Sequence, residues 1–542
     1  MHGTEAGKIV WTGKKSWLKT GRQAIKEALT RVGRPVYLVR RDGQPAVATK
    51  VEPAAANRQS LSLPLEAWVP GLPPENLGSP GFKRRHGLRY AYVMGAMAHG
   101  ISSVAMVRAA GRQGMLGFFG AGGLSLDEIE SAVVELKEQA GLPFGFNLIH
   151  SPADPRLEEA VAGTYLRHGI SLISASAFMT LTMPLVYYRV AGLEPGPAGQ
   201  PVCRNRIIAK VSREEVAEKF LSPPPRDMVA SLLDQGLISA EQAGLAARIP
   251  MADDLTAEAD SGGHTDNRPA LAILPTFIAL RDRLVRKFGY QDPPEIGLAG
   301  GIATAHSVAA AFAMGAAYVL TGSINQACVE AGTSDAVKQM LAQARQADVT
   351  MAPAGDMFEL GVKVQVLKRG TMFAMRAGRL YDLYSRFDSW ESLPEKDRLF
   401  VERQLLRCSF EEAWQETASF FARRDPAQID LASGDPKHKM ALVFRSYLGR
   451  ASIWARQGIS DRVIDYQIWC GPAMGAFNQW TAGSFMELPE NRHCAEVALN
   501  LLYGAAVLNR ALSIANQGVE VGPEILNVTP LPQEQIKELV RE

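Results

Sequence analysis

The chain is poor in cysteine. Five occur in 542 residues, at 203, 328, 408, 470 and 494, with no CxxC pair among them. An odd, scattered set excludes a disulfide framework and a thiolate zinc site, and it fits a reducing compartment. An excess of one charge is also missing. Lys and Arg number 58 against 56 Asp and Glu, a net charge of +2. That balance offers no basic footprint for nucleic acid and no polybasic surface for membrane. No uninterrupted apolar run reaches 18 residues; "VAAAFAMGAAYVLTG" is shorter and contains a glycine. The first residues, "MHGTEAGKIVWTGKK", lack the apolar core of a signal peptide, so the expected location is the cytoplasm. Nor does "GFFGAGG" (117–123) have the spacing of a dinucleotide-binding fingerprint.

What is present is ordinary globular composition, 47% hydrophobic and 21% charged. The length is too great for one compact domain. Residues 1–82 predict a small β-containing segment. It holds a hairpin turning at Asp42-Gly43, followed by an extended linker rich in proline at 53, 64, 70, 73, 74 and 80. From 83 to 329, short apolar runs alternate with helical segments. Eight runs read as strands: 90–98, 115–123, 143–150, 170–178, 206–212, 252–260, 295–301 and 317–323. Strands apolar on both faces belong to parallel sheet. Eight βα units in about 240 residues predict a (β/α)8 TIM barrel, with a doubly wound open sheet as the alternative. "SLDEIESAVVELKEQAG" carries a Ser125–Glu128 capping box, and Ser212 with Glu215 repeats the pattern. A helical excursion fills 213–251. Residues 330–520, with Trp390, Trp414, Trp454, Trp469 and Trp480, predict a large helical lid or substrate domain. Residues 521–542 read as a tail.

Active sites of such barrels lie at the C-terminal ends of the strands. The loops there are rich in glycine and polar residues. Strands 7 and 8 end in "AGGIAT" and "TGSINQ", where Gly300, Gly301, Gly322 and Ser323 can present backbone N–H groups to a phosphate. A single phosphate without a Rossmann motif points to FMN. Its flat ring suits the small Ala96, Met97 and Ala98 with Gly120. Asn147 suits its pyrimidine edge, and Lys210 the place where negative charge gathers on reduction. Strand 6 runs into "ADDLTAEADSGGHTDNRP" (252–269), bringing Glu258, Asp260, Gly262, Gly263 and His264 to the mouth. Three readings fit this loop: a metal site, a catalytic histidine, or a polar turn. No second histidine or cysteine lies near His264 in sequence, so no metal is expected. Ser323 is not in a nucleophile elbow, and Cys328 reads as a buried apolar residue. Lys363, Lys368, Arg369, Arg376 and Arg379 form a basic face beside the barrel, either solvated or facing phosphates.

"EADSGGHTDNRP" with "LAGGIATAHSVAAAFAMGAAYVLTGS" resembles the nitronate monooxygenase and flavin-dependent enoyl-ACP reductase superfamily. "YAYVMGAMAHGISS", "PFGFNLIHSP", "NRIIAKVSREEVAEKF", "VKVQVLKRGTMFAMRA" and "DYQIWCGPAMGAFNQW" resemble its PfaD-type trans-acting enoyl reductases, over about residues 77–515. The resemblance implies an FMN enzyme that uses NADPH or NADH to reduce enoyl thioesters on an acyl carrier protein, in polyunsaturated fatty acid or polyketide synthesis. It places Gly300, Gly301, Gly322 and Ser323 on the phosphate and Asn147 and Lys210 on the ring. Glu258, Gly262 and Gly263 line the cofactor, and His264 faces the thioester carbonyl. His264, Lys210 or water then supplies the proton. A homodimer is the assembly to test. His99 stands where a smaller polar residue such as Asn is expected. A nitronate monooxygenase-like oxidase and a non-catalytic docking component of a synthase are the competing readings.

Overall fold

A computed structural model of the chain describes residues 9–53, 60–139, 141–151 and 154–541. Its centre is a closed barrel of eight parallel strands: β1 (Tyr92–Met94), β2 (Leu116–Phe119), β3 (Phe144–Ile149), β4 (Leu172–Ser176), β5 (Arg206–Val211), β6 (Asp254–Glu258), β7 (Glu295–Ala299) and β8 (Val319–Thr321). Each strand pairs in parallel with its neighbour, and β8 pairs back to β1. The doubly wound alternative is excluded by that closure. Nearly every strand residue is buried, because helices cover the outside while side chains fill the inside. The helix Pro80–His86 closes the N-terminal end of the barrel. Phe82 stacks on Tyr318 at 4.0 Å, and His86 Nε2 lies 2.6 Å from Asp254 Oδ2.

The N-terminal segment is more ordered than its proline content suggests. The hairpin Val36–Arg41/Gln44–Ala48 turns at Asp42 and Gly43, with φ of 49° and 77°, a two-residue turn of the primed type. Leu61–Val69, inside the stretch read as a linker, is instead a strand between Val10–Gly13 and Val36–Arg41 in a five-stranded sheet. Its single proline, Pro64, and alternating burial suit a strand exposed on one face.

The region after the barrel is not one helical lid. Residues between Ala352 and Ala451 form their own core, including Phe358, Leu380, Phe410 and Phe444. This is the lid proper. The helix Cys494–Ala515 belongs elsewhere. It is long and apolar enough to cross a membrane, but 83% of its most apolar window is buried inside the protein. It packs on the barrel helix Ala305–Ala313, where Gly504 meets Ala305, and against the N-terminal sheet. Arg510 anchors it by donating to the carbonyls of Leu29, Arg31 and Arg34. The supposed tail contains the helices Pro523–Leu526 and Gln533–Arg541, with Ile525 and Ile536 buried. The lid also contains a β-hairpin, Val349–Pro353 with Lys363–Leu367, which captures the short strand Gly263–His264.

Candidate active site

The open end of the barrel collects most of the residues singled out from the sequence. On β3, Asn147 is 3% exposed. Its Nδ2 donates to the Ser174 carbonyl and Ser176 Oγ, both at 3.2 Å, which leaves Oδ1 as the acceptor for a ligand. On β5, Lys210 Nζ meets Glu258 Oε1 of β6 at 2.5 Å. Glu258 also accepts from Ser261 Oγ at 3.0 Å. The carboxylate therefore neutralises and aims the ammonium, and two of its three hydrogens remain free for other acceptors.

Gly300 and Gly301 have φ of 86° and 73°, the left-handed region open to glycine. They serve different ends. A Cβ on Gly300 would strike the Ala259 carbonyl, so this glycine lets β7 and β6 approach closely. A Cβ on Gly301 or Gly322 would meet nothing within 4 Å. These two form an open backbone cradle at the ends of β7 and β8, at the place where this fold binds phosphate. The glycine cradle, the Asn147 acceptor and the Lys210 cation together fit an FMN phosphate, pyrimidine edge and N1/O2 locus. Ser323 Oγ accepts from Gly471 N–H at 3.1 Å, which fixes the oxygen and leaves its hydroxyl hydrogen to donate.

Beside the cradle, Ala96 and Met97 lie on the half-buried β1 loop. This loop is braced internally. Ser102 Oγ donates to the Gly95 carbonyl at 2.7 Å and accepts from Met97 N–H at 2.9 Å. Gly120 is required by that loop rather than by a ligand, since a Cβ there would lie 1.7 Å from Met97 O.

The glycine-histidine loop is held by the lid. Gly262 packs on the Cys470–Gly471 backbone, where a Cβ would lie within 3.0 Å of it, so the protein itself requires glycine there. Gly263 and His264 pair with Gln365 and Val364. Gln365 Nε2 donates to Asp260 Oδ1 at 2.8 Å and to the Ser261 carbonyl at 2.7 Å. Asp266 is consumed by Arg213, through two 3.0 Å bonds, and by Ser212 Oγ at 2.6 Å. This also corrects Ser212, which bonds the loop while Arg213 takes the N-cap position. Among the described residues no group of three or more acids, histidines and cysteines is placed to hold a metal.

His264 Nε2 lies 3.2 Å from Asp356 Oδ1, on the loop joining the two lid strands. Burial disfavours the imidazolium, but Asp356 outweighs it and the His264 pKa is raised; Lys210 opposes the rise and Glu258 adds to it. His99 behaves oppositely. Burial first, then Arg456, pushes its pKa down to about 4. Its ring stacks on Trp469 at 5.6 Å. Arg456 donates to the His99 carbonyl at 2.8 Å. Of the five basic residues expected at the mouth, Arg376 is buried against Asp465, Arg379 pairs with Asp397 and Arg369 with Asp348. Those three are occupied by protein partners.

Sequence reasoning assigned no role to Asp356, Gln365 or Gly471. A buried glutamine in the apolar strand "VKVQVL" was the available signal, since a polar residue there needs a partner.

A closed parallel barrel with these groups gathered at the C-terminal ends of its strands, beside a helical lid, defines a TIM-barrel protein with an inserted helical domain. The nitronate monooxygenase family model matches residues 85–372, and that of the inserted helical domain of [acyl-carrier-protein] S-malonyltransferase matches 387–466. The chain is 47% identical over 451 residues to one of the polyunsaturated fatty acid synthase components of a Thraustochytrium, covering 81% of this chain and 30% of that protein. It is 46% identical over 440 residues to the polyketide biosynthesis protein PksE of Bacillus subtilis, covering 81% and 57%. The crystal structure of the enoyl reductase domain of MlnA, from the macrolactin cluster of Bacillus amyloliquefaciens, matches with a TM-score of 0.77 and 40% identity. That match covers 80% of this chain and 98% of that domain. The chain belongs to the nitronate monooxygenase family, in its branch of PfaD-type enoyl reductases. It spans well under two thirds of the curated relatives' lengths.

Proposed function

We propose that the protein reduces the α,β-double bond of enoyl thioesters on an acyl carrier protein, acting in trans, with NADPH or NADH and FMN. The observation that carries this reading is the match to essentially the whole of a solved enoyl reductase domain. When bound, FMN supplies the hydride relay from nicotinamide to the substrate β-carbon. The protein's part is to bind, orient and protonate. Backbone N–H groups at Gly301 and Gly322 hold the phosphate, and Asn147 Oδ1 accepts from the ring's imide. Lys210, aimed by Glu258, counters the negative charge that gathers on reduction. His264 donates a hydrogen bond to the thioester carbonyl as negative charge develops and delivers the proton to the α-carbon. The lid hairpin reaches the mouth at His264. Resemblance of its helical part to an insert of a transferase acting on acyl-carrier-protein substrates supports a carrier-protein partner.

Incubation with crotonyl-loaded carrier protein and NADPH tests this reading. Intact-protein mass should show a gain of two hydrogens on the acyl chain; an unchanged mass with both nicotinamides defeats it. The family match favours a second reading, a nitronate oxidase. Anaerobic mixing separates the two, because an oxidase of that type leaves its flavin unbleached by NADPH.

A further inference from the structure

The lid reaches the barrel mouth with one carboxylate directed at His264. His264 lies on a two-residue strand, and its backbone register is set by Val364 of the lid. Asp356 comes from the turn between the same two lid strands, so one hairpin fixes both the main chain and the ring of His264. The pair is only partly open to solvent, with side-chain exposures of 41% and 58%. Burial opposes the Asp356 carboxylate, but His264 outweighs it and lowers its pKa; Arg445, which donates to the neighbouring Gly355 carbonyl at 2.9 Å and pairs with Glu359, adds a smaller contribution in the same direction.

We propose that Asp356 is a positioning residue that orients His264 and makes proton supply conditional on a seated lid. This rests on the enoyl-reductase reading above. With Nε2 turned to Asp356, Nδ1 is the nitrogen left for substrate. The transferred proton leaves Nδ1–H and forms the C–H bond at the α-carbon, balancing the hydride delivered to the β-carbon. The imidazole is then neutral and is reprotonated from solvent. Asp356 stabilises the charged ring before transfer, as does Glu258 from β6, whereas Lys210 from β5 opposes it. When the lid lifts, Asp356 and the register at Val364 leave together. An unseated active site then holds a disoriented, less protonated histidine, which suppresses proton delivery before the thioester is enclosed.

The test is Asp356→Asn, with Asp356→Glu as rescue, in the full-length flavin-loaded protein. The His264 imidazole is followed by NMR titration, assigned by its loss in His264→Gln. The expected result is a His264 pKa lower in Asp356→Asn than in wild type and restored in Asp356→Glu. The basic limb of the kcat–pH profile should move the same way. At pH 8 kcat should fall up to about fivefold, the range for a half-exposed ion pair, with KM and flavin content held. A His264 titration unchanged by Asp356→Asn overturns the proposal even if enoyl reduction is intact. A wild-type protein that titrates as expected but reduces no enoyl thioester defeats the functional reading instead.

Discussion

Lys210 and Glu258, on adjacent barrel strands, share a 2.5 Å contact with side chains 24% and 12% exposed. Neither charge is stable there alone, since an uncompensated ion in a poorly solvated site costs several kcal/mol. Lys210→Met should therefore destabilise the fold by roughly 3 kcal/mol. Adding Glu258→Gln should restore part of the loss. A double-mutant cycle read by chemical denaturation checks this, and strict additivity would show that the pair is not coupled. Both single variants should also purify with less flavin.

Gly301 and Gly322 separate backbone strain from ligand binding. Gly301→Ala places a Cβ at φ 73° and should cost about 1–2 kcal/mol in the fold itself. Gly322 has φ −133° and open space beside it, so Gly322→Ala should leave Tm nearly unchanged. Both added methyls fill the cradle and should weaken FMN binding. Flavin fluorescence titration against Tm measures the two effects independently.

Gln365 is 6% exposed and is one polar tie from the lid to the barrel loop. Gln365→Leu leaves the Ser261 carbonyl and one Asp260 bond unmet, a cost of about 1–3 kcal/mol. The loop 260–267 should then become the first site of limited proteolysis. Cleavage no faster than in wild type would show that Gln365 is dispensable for holding the loop.

His99 links lid seating to acidity. Its folded-state pKa, about 4, lies below the ordinary histidine value, so the unfolded chain binds more protons between about pH 6.5 and 4. Stability should rise with pH across that window and be lost as pH falls through it. His99→Asn removes this titration, so its Tm should decline less between pH 7 and pH 4.5 than that of wild type.

His264→Gln keeps a hydrogen-bonding side chain but cannot carry a proton. kcat for enoyl reduction should fall about a hundredfold or more, while anaerobic flavin reduction by NADPH stays near wild type. Equal loss in both half-reactions would place His264 in cofactor binding instead of proton delivery.

Much of the barrel was legible because its signals are local. β-rich runs such as "RIIAKV" and capping boxes such as Ser125–Glu128 form within a few residues, and both occur where expected. The glycine pair after β7 was legible for the same reason. Less legible was "LSLPLEAWV", where Pro64 and the prolines flanking the segment masked a strand defined by partners at Val10–Gly13 and Val36–Arg41. Cys494–Ala515 was assigned to the lid because it is helical, yet its burial is decided by the barrel helix and the N-terminal sheet.

The sequence by itself determined the eight βα units, the glycines at their ends, and the polar residues gathered at one mouth, since alternation and turn chemistry are short-range. Only the tertiary structure decided what those residues do to one another. Asp260 and Gln365 are 105 positions apart and share a 2.8 Å bond. Gly262 is shaped by Gly471, and Asp356 raises the pKa of His264 against its burial. Such contacts leave no period in the chain. They exist because the lid folds around its own apolar core and brings one hairpin edge and one carboxylate to the barrel loop.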